Sequence, residues 1–207
     1  MKTHLTLLRH GISEANATGI LQGQADWPLS DAGRQQSQDL AEFWTASGVR
    51  FSTIVSSPLS RALETAEIIA ARLNCPLEEN QLLMERKWGR FESKPLTELE
   101  AYYEHNRPLS LFEQPPPDGE SYWQLYTRAG KFMQQLLGRP PRDFLVVSHG
   151  GLLAALLMIA LQIAPALMPR TGARLTLDNC GFSELEYDHD HPRWVVEHIN
   201  IKSNSKN

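Results

Sequence analysis

Two histidines of this 207-residue chain occupy the same local setting, after a short apolar run and before a glycine. The first, His10, follows the run from Leu5 to Leu8 and precedes Gly11. A neutral imidazole can attack phosphorus, and the resulting phosphohistidine divides one difficult transfer into two easier steps. Its neighbour Arg9 carries a permanent charge on a planar guanidinium that matches phosphoryl oxygens. These residue types indicate a nucleophile beside a phosphate-binding group.

The second histidine, His149, follows the apolar run from Phe144 to Val147 and precedes Gly150. There it would donate a charged hydrogen bond to a phosphoryl group in transfer, because that transition state is stabilised mainly by positioning and electrostatics. Each histidine motif is weak evidence when taken alone, since a histidine at a strand end is more often a structural residue. The interpretation therefore depends on further partners.

Arg61 is the next candidate phosphate ligand. Ser57 is predicted to cap a helix whose first residue is Pro58, which places Arg61 in the first turn. A cation is unfavourable at that end of the helix dipole unless an anion binds there, so Arg61 and the helix end together suggest half of a phosphate clamp. The alternative is a surface arginine that pairs with Glu64 or Glu67.

Glu85 is the candidate proton donor. It lies between Leu82 and Trp88, in a segment that is otherwise apolar or basic. Partial burial there would suit a carboxyl group that protonates a leaving oxygen. The alternative, equally compatible with the sequence, is a surface ion pair with Arg86 or Lys87.

Neither a metal nor a cofactor is expected. Three cationic donors, Arg9, Arg61 and His149, suffice for a phosphoryl group, and the sequence has no Asp/Asn/Ser cluster or Gly-Lys-Ser/Thr loop typical of Mg²⁺ sites. The run from Asp188 to His191 has the ligand types of a divalent ion. It precedes Pro192 between two predicted strands, however, so a solvated turn is the preferred interpretation.

Hydrophobic periodicity predicts the elements that position these residues. Helices are expected from a Ser30 cap to about Ser47, from Pro58 to Cys75-Pro76, over about Pro95–Glu104, over Gly119–Leu137 and over Leu152–Ala164. Strands are expected at Leu5–Leu8, Phe51–Val55, Phe144–Val147, Leu175–Leu177, Gly181–Tyr187 and Trp194–Ile199. A proline-rich turn is expected at Pro115–Pro117.

This alternation predicts an α/β fold, a three-layer sandwich with a mainly parallel central sheet, helices on both faces and a small helical or loop lid. In such folds ligands bind outside the carboxyl ends of the strands. His10 and His149 both follow such ends, so we expect them to share one site.

Length and composition favour one globular domain over residues 1–201, with the lid at about 86–120 and a flexible tail at 202–207. Lys and Arg number 20 against 24 Asp and Glu, so no general basic field is available for nucleic acid or an anionic membrane. The apolar run Leu152–Ala164 is too short to span a membrane. The start of the chain lacks a secretory pattern, so a cytoplasmic location is expected. Cys75 and Cys180 are expected to be free thiols.

The motifs also occur in a recognisable order along almost the whole chain: LTLLRHGISEAN, LQGQADWPLSDAGRQQS, SSPLSRALETAEIIA, Glu85 with Gly89, and VVSHGG. This ordered set resembles the histidine phosphatase superfamily, in the branch that holds cofactor-dependent phosphoglycerate mutases, fructose-2,6-bisphosphatases and small broad-range phosphatases. The resemblance implies that His10 is the nucleophile and Glu85 the proton donor. It also implies a phosphate pocket of Arg9, Arg61 and His149, lined by Asn16, Gln22, Gly23 and Gly150.

The chain departs from the family pattern in the lid. The family often has Gly-x-Trp-Glu-Gly after the acidic residue, where this chain reads Gly89-Arg90-Phe91-Glu92-Ser93. Glu85-Arg86-Lys87-Trp88-Gly89 is similar to the Glu-Arg-His-Tyr-Gly of the mutases. The mutases' long insertion and paired arginines are missing, because Arg107 is the only arginine between Glu104 and Pro115.

The leading hypothesis is hydrolysis of phosphomonoesters through phosphohistidine, with a small phosphorylated metabolite as substrate. Phosphoglycerate mutase activity is the enzymatic alternative, and a catalytically silent phospho-ligand binder is the alternative of another class. Sugar phosphates, phosphoglycerates, α-ribazole phosphate or a phosphoprotein remain open as substrates, as does the oligomeric state. The choice among substrates is expected to depend on the lid residues Trp27, Phe91, Tyr102, Tyr103, Arg107 and Gly119 to Ser121.

Overall fold

Strands and helices alternate along most of the chain in the computed structural model, which describes residues 1–106, 117–164 and 175–203. The strands are β1 (Lys2–Arg9), β2 (Ile20–Leu21), β3 (Thr53–Ser56), β4 (Leu77–Glu79), β5 (Lys94–Pro95), β6 (Asp143–Ser148), β7 (Phe182–Asp188) and β8 (Arg193–Ile201). The α-helices are α1 (Glu14–Thr18), α2 (Asp31–Ala46), α3 (Ser60–Leu73), α4 (Leu96–His105), α5 (Tyr122–Leu137) and α6 (Gly150–Ala160). Two 3₁₀ turns lie at Gln81–Leu83 and Gly89–Phe91.

Six strands form one sheet in the order β4-β3-β6-β1-β7-β8. The pairs β4-β3, β3-β6 and β6-β1 are parallel, whereas β1-β7 and β7-β8 are antiparallel. The two-residue strands β2 and β5 pair separately. The predicted α/β class with a mainly parallel sheet is confirmed.

Helices cover both faces of this sheet. One core contains Leu5, Leu7 and Val146 together with the buried faces of α5 and α6. The other contains Leu8 and Ile54 with the buried faces of α2 and α3. Central strands that are buried on both sides read as continuous apolar runs, which explains why β1 and β6 were visible in the sequence.

Most predicted helix ends agree with the structure. Ser30 caps α2 by accepting a hydrogen bond from the Gly33 amide, as predicted. Helix α5 begins at Tyr122, three residues later than predicted, because Ser121 and Gln124 form a capping box.

Three local predictions were wrong. The helix predicted from Pro58 begins at Ser60, with Leu59 in the cap position. The strand predicted at Leu175–Leu177 is irregular backbone. The helix predicted over Leu152–Ala164 spans Gly150–Ala160.

Several lid and tail predictions lie outside the described residues. These are Arg107, Pro115 and Pro116 in the lid and residues 204–207 of the tail. Among the residues described, the helices are all too short or too polar to cross a membrane.

Candidate active site

Strand register brings the two histidines together. Arg9 at the end of β1 pairs with Ser148 at the end of β6, so the residues that follow, His10 and His149, leave the sheet side by side. Their ring centroids lie 5.1 Å apart. The shared site predicted from the strand ends is therefore present as geometry.

The orientation of His10 follows from one hydrogen bond. Its Nδ1 lies 2.6 Å from the carbonyl oxygen of Gly11. A carbonyl can only accept, so Nδ1 carries the proton and Nε2 holds the free lone pair. Burial, followed by the charges of Arg61 and Arg9, holds the pKa of His10 well below its usual value of 6.5. The imidazole is thus neutral and has a free lone pair on Nε2, as an attack on phosphorus would require.

The backbone after β1 is fixed on several sides. The Gly11 amide donates to Thr65 Oγ1 at 3.1 Å, and Thr65 in turn donates to the carbonyl of Arg61. A Cβ atom at Gly11 would lie 2.6 Å from the carbonyl oxygen of Gly33 near the start of α2. Only glycine allows this close approach, which sets where the His10 loop can run.

Arg9 points into the site from the end of β1. Its Nη1 donates to the carbonyl of Leu177 at 2.6 Å, while Nε has no partner among the described residues. Burial lowers the pKa of Arg9, and the neighbouring carboxylate of Glu85 partly opposes this.

Arg61 is 1% exposed and lies in the first turn of α3. It donates to the carbonyls of Gly23 at 2.7 Å and Ala25 at 3.1 Å. The alternative of a surface arginine paired with Glu64 or Glu67 is wrong, because the side chain is buried. Burial lowers the pKa of Arg61 to about 10, so it stays cationic at neutral pH.

His149 is fully buried and its Nε2 lies 2.8 Å from Ser57 Oγ. Ser57 was predicted to cap α3. Its hydroxyl instead lies next to His149, and Leu59 occupies the cap position of α3. Burial, then Arg61, His10 and Arg9, hold the pKa of His149 well below 6.5. The predicted charged donor is thus neutral in the free protein. A phosphoryl anion in the site would raise its pKa again.

Unpaired nitrogens identify where an anion would be held. Within the described ranges, the buried side-chain nitrogens without a hydrogen-bond partner are Arg9 Nε, Arg61 Nε, His149 Nδ1 and Arg86 Nη1. Buried donors are normally satisfied, and three of these four belong to the predicted phosphate pocket. The arrangement can accept an oxyanion.

The side chain of Glu85 packs against the first turn of α6. Its carboxylate accepts hydrogen bonds from the amides of Gly151 at 3.0 Å, Leu152 at 3.2 Å and Arg86 at 2.7 Å. The predicted alternative of a surface ion pair with Arg86 or Lys87 does not describe this carboxylate, which is bound by backbone amides. Its charge also acts on Arg9 and Arg61, which places it beside the predicted phosphate pocket.

Arg128 of α5 holds the segment that carries Glu85. It donates to the carbonyls of Leu82, Met84 and Glu85 at 2.6–3.1 Å. The same guanidinium binds both carboxylate oxygens of Glu120 at 2.7 and 2.8 Å. Glu120 thus has a structural contact, although the sequence suggested it as a lid residue.

The lining residues implied by the resemblance contact one another or the residues next to His10. Asn16 Oδ1 accepts from the Ser13 amide at 3.2 Å, and the Ser13 hydroxyl donates to Oε1 of the buried Gln22 at 2.8 Å. Gly23 contributes the carbonyl that Arg61 binds. A Cβ atom at Gly150 would lie 3.7 Å from Arg9 Nε, so Gly150 borders the arginine.

Arg86, in the segment predicted as the lid, contacts two aromatic side chains. The guanidinium of Arg86 lies between the rings of Trp88 and Tyr122, 4.1 and 4.2 Å from their centroids.

Ser93, where the family often has glycine, has a φ of 62°. This non-glycine residue therefore adopts the left-handed conformation that glycine would adopt without strain.

The Asp188–His191 run forms the predicted turn between β7 and β8. Asp188 Oδ1 accepts from the amides of Asp190 and His191, and His189 contacts Thr3. These polar groups form hydrogen bonds within the turn and to β1.

Three residues near the nucleophile were not predicted as part of the site: Ser57, Thr65 and Asn179. Asn179 Nδ2 donates to the carbonyls of His10 at 3.0 Å and Gly11 at 3.2 Å. Ser57 had a visible signal in its position before Pro58, but that signal was assigned to a helix cap. Thr65 lies within the SSPLSRALETAEIIA motif but was given no role there, and Asn179, which lies in no motif, is separated from His10 by 169 residues.

Comparison with known proteins agrees with this geometry. Residues 5–202 match the family model of the histidine phosphatase superfamily, branch 1. A relative from Proteus mirabilis (strain HI4320), described as a probable phosphoglycerate mutase GpmB, is 35% identical over 92% of this chain and 89% of its own.

Solved structures share the fold over nearly the full length. The mycobacterial glucosyl-3-phosphoglycerate phosphatase in complex with VO3 is 28% identical, with a TM-score of 0.81 over 97% of this chain and 100% of its own. The phosphoserine phosphatase of Entamoeba histolytica, in complex with 3-phosphoglyceric acid, is 25% identical, with a TM-score of 0.75 over 97% and 98%. From its motifs, its fold and these matches, the chain belongs to branch 1 of the histidine phosphatase superfamily.

Proposed function

We propose that this protein is a phosphatase that hydrolyses small phosphomonoesters through a covalent phosphohistidine on His10. The observation that carries the proposal is the contact between His10 Nδ1 and the Gly11 carbonyl, which leaves Nε2 free in a neutral ring. The unpaired nitrogens of Arg9, Arg61 and His149 supply the complementary anion site.

In the first step the Nε2 lone pair attacks phosphorus and the bond from phosphorus to the ester oxygen breaks. Arg9, Arg61 and His149 stabilise the charge on the phosphoryl oxygens. Glu85, in its carboxylic acid form, gives its proton to the leaving oxygen.

In the second step water attacks the phosphohistidine. The Glu85 carboxylate takes a proton from that water while the phosphorus–nitrogen bond breaks. Phosphate leaves, and neutral His10 and protonated Glu85 are restored, so the cycle balances.

Small phosphorylated metabolites are the proposed substrate class. The solved relatives are named as phosphatases of glucosyl-3-phosphoglycerate and of phosphoserine, the latter bound to 3-phosphoglyceric acid. A panel of sugar phosphates, phosphoglycerates, phosphoserine and α-ribazole phosphate, ranked by kcat/KM, tests this class. A phosphoprotein as the preferred substrate would contradict it.

Phosphoglycerate mutase activity is the second candidate, favoured by the naming of the 35%-identical relative. The two reactions differ only in whether water or a second phosphoglycerate accepts the phosphoryl group. The test incubates the protein with 3-phosphoglycerate, with and without 2,3-bisphosphoglycerate, and measures free phosphate and 2-phosphoglycerate. We expect free phosphate to dominate. Rapid isomerisation with negligible phosphate would overturn the phosphatase proposal.

The proposed cycle uses no metal and no cofactor. Turnover should therefore be unchanged by EDTA after exhaustive dialysis. Loss of activity that Mg²⁺ or Mn²⁺ restores would show that the mechanism is incomplete. No turnover of any panel member, with retained phosphate binding, would instead favour the phospho-ligand binder.

A further inference from the structure

Asn179 contacts the backbone that follows β1 and orients the His10 ring. It lies in the half-buried turn before β7, and its Nδ2 donates to the carbonyls of His10 at 3.0 Å and Gly11 at 3.2 Å. The third acceptor of this nitrogen is Asn16 Oδ1, at 3.3 Å. One side-chain amide therefore links the turn before β7 to the His10–Gly11 backbone and to α1.

The orientation of the Asn179 amide follows from its neighbours. Two of the three acceptors are backbone carbonyls, which cannot donate. The third, Asn16 Oδ1, also accepts from the Ser13 amide at 3.2 Å, so it too is an oxygen. Only the NH₂ group of Asn179 can donate to these atoms, and its two hydrogens are shared among the three acceptors, whereas its oxygen would face acceptors alone.

The Gly11 carbonyl receives two hydrogen bonds, one from His10 Nδ1 and one from Asn179. A carbonyl oxygen has two lone pairs, so both donors can be accommodated. Thr65 holds the Gly11 amide at 3.1 Å from the α3 side. The peptide groups on both sides of Gly11 are thus fixed, and Asn179 is the side chain that fixes the carbonyl to which the ring is bound.

On this basis, and given the phosphohistidine chemistry proposed above, we infer that Asn179 is a positioning residue for the nucleophile. By fixing the Gly11 carbonyl, it keeps the His10 proton on Nδ1 and presents Nε2 to the phosphorus. It touches neither the substrate nor the reacting atoms. Without it the carbonyl can rotate, and the ring can lose both its tautomer and its angle.

Two measurements test this role. The first is the ¹⁵N spectrum of histidine-labelled protein without substrate, which distinguishes a protonated Nδ1 from a protonated Nε2. The second is the rate of phosphoenzyme formation from an aryl phosphate in a rapid-quench experiment, together with kcat and KM. The variants are Asn179→Ala, which removes the donor, and Asn179→Ser, which retains one hydroxyl donor.

Asn179→Ala should give a mixed His10 tautomer and slow phosphoenzyme formation by about 10- to 100-fold, since small misplacements of a reacting group have effects of this size. KM should change less than kcat, because Arg9, Arg61 and His149 make no hydrogen bond to Asn179 in the part of the chain that the structure describes and only the lining residue Asn16 loses a contact. Asn179→Ser should lie between the wild type and Asn179→Ala in both measurements.

Asp178→Asn is the matched control. It weakens the same turn by removing the ion pair of Asp178 with Lys202, and no hydrogen bond joins the Asp178 side chain to the His10 loop. We expect a lower Tm with the wild-type tautomer and phosphorylation rate. If Asp178→Asn slows phosphorylation as much as Asn179→Ala, the role of Asn179 is merely structural and the inference fails.

A folded Asn179→Ala protein with the pure wild-type tautomer and an unchanged phosphorylation rate would also overturn the inference. If the wild type forms no phosphoenzyme at all, the proposed function fails. The tautomer spectrum then still decides whether Asn179 orients His10, so the two failures can be told apart.

Discussion

The groups that hold His10 neutral are also the groups that would bind its substrate. Burial is the main cause that lowers the pKa of the imidazole, and the charges of Arg61 and Arg9 lower it further. Both arginines have a buried nitrogen without a partner in the described structure. Positive charge thus favours the nucleophilic form of the ring and attracts the anion that it attacks. The electrostatics of the free site are already suited to phosphoryl transfer.

Glu85→Gln should reveal the role of the proton donor through the leaving group. An alkoxide needs a proton as it departs, so kcat with alkyl phosphates should fall by about 10²- to 10⁴-fold. Aryl phosphates with an acidic phenol should lose much less in the step that forms the phosphoenzyme. Rapid-quench rates for both substrate types check this. Equal losses with both would exclude Glu85 as the general acid.

Some of these residues could be predicted and others could not. Arg9, His10 and His149 follow apolar runs that mark strands, so their shared location followed from the rule for parallel sheets. Ser57 has the local signature of a helix cap, but its contact with His149 spans 92 residues of sequence. Asn179 approaches from a turn with no motif, so only the folded chain shows its contact.

At the scale of the elements, the first turn of α6 is in direct contact with Glu85. The amides of Gly151 and Leu152 are free in the first turn and bind the Glu85 carboxylate. A Cβ atom at Gly151 would lie 2.5 Å from Glu85 Oε1. A side chain at residue 151 would therefore displace the Glu85 carboxylate from these amides.

Gly151→Ala should displace Glu85 and reduce kcat by about 10²-fold, the order of magnitude for a misplaced catalytic group. Gly130→Ala in α5 is the control, because the nearest atom to its new Cβ would lie at 3.8 Å, an ordinary contact. That variant should keep full activity and gain about 0.5–1 kcal/mol in unfolding free energy. Steady-state kinetics and urea unfolding measure both. Full activity in Gly151→Ala would show that catalysis does not depend on the hydrogen bonds between Glu85 and the amides of α6.

Long, buried elements were easier to predict than short ones. The apolar runs of β1 and β6 and the capped helix α2 were found close to their observed bounds. The strands β2 and β5 are two residues each, too short to carry a periodic pattern, and were missed. The Leu175–Leu177 prediction failed because three residues of mixed character do not distinguish a strand from irregular backbone.

For the whole molecule, the two buried histidines link stability to pH. Their pKa values are lower in the folded protein than the usual 6.5, so below that pH the unfolded chain binds protons that the folded chain excludes. Their contribution to stability is full above about pH 6.5 and decreases as the pH falls through the window below it.

His149→Asn should reduce this pH dependence. Each such group contributes at most about 1.4 kcal/mol of unfolding free energy per pH unit in the window. As the pH falls below 6.5, the stability of the variant should therefore fall less steeply than that of the wild type, by up to this amount per pH unit. Urea unfolding across this range measures it. The control is His105→Asn on the exposed end of α4, which should retain the wild-type slope. An unchanged slope in His149→Asn would mean that His149 is not held neutral by the fold.

The central claim is the covalent intermediate on His10, and trapping it is the most direct test. Wild-type protein is mixed with an aryl phosphate, quenched in alkali, and analysed by ³¹P NMR and peptide mass spectrometry, with His10→Asn as the control. The account predicts an acid-labile, alkali-stable phosphoryl group on Nε2 of His10, and no label or turnover in the variant. A folded His10→Asn protein that still turns over, or a label on any other residue, would contradict it.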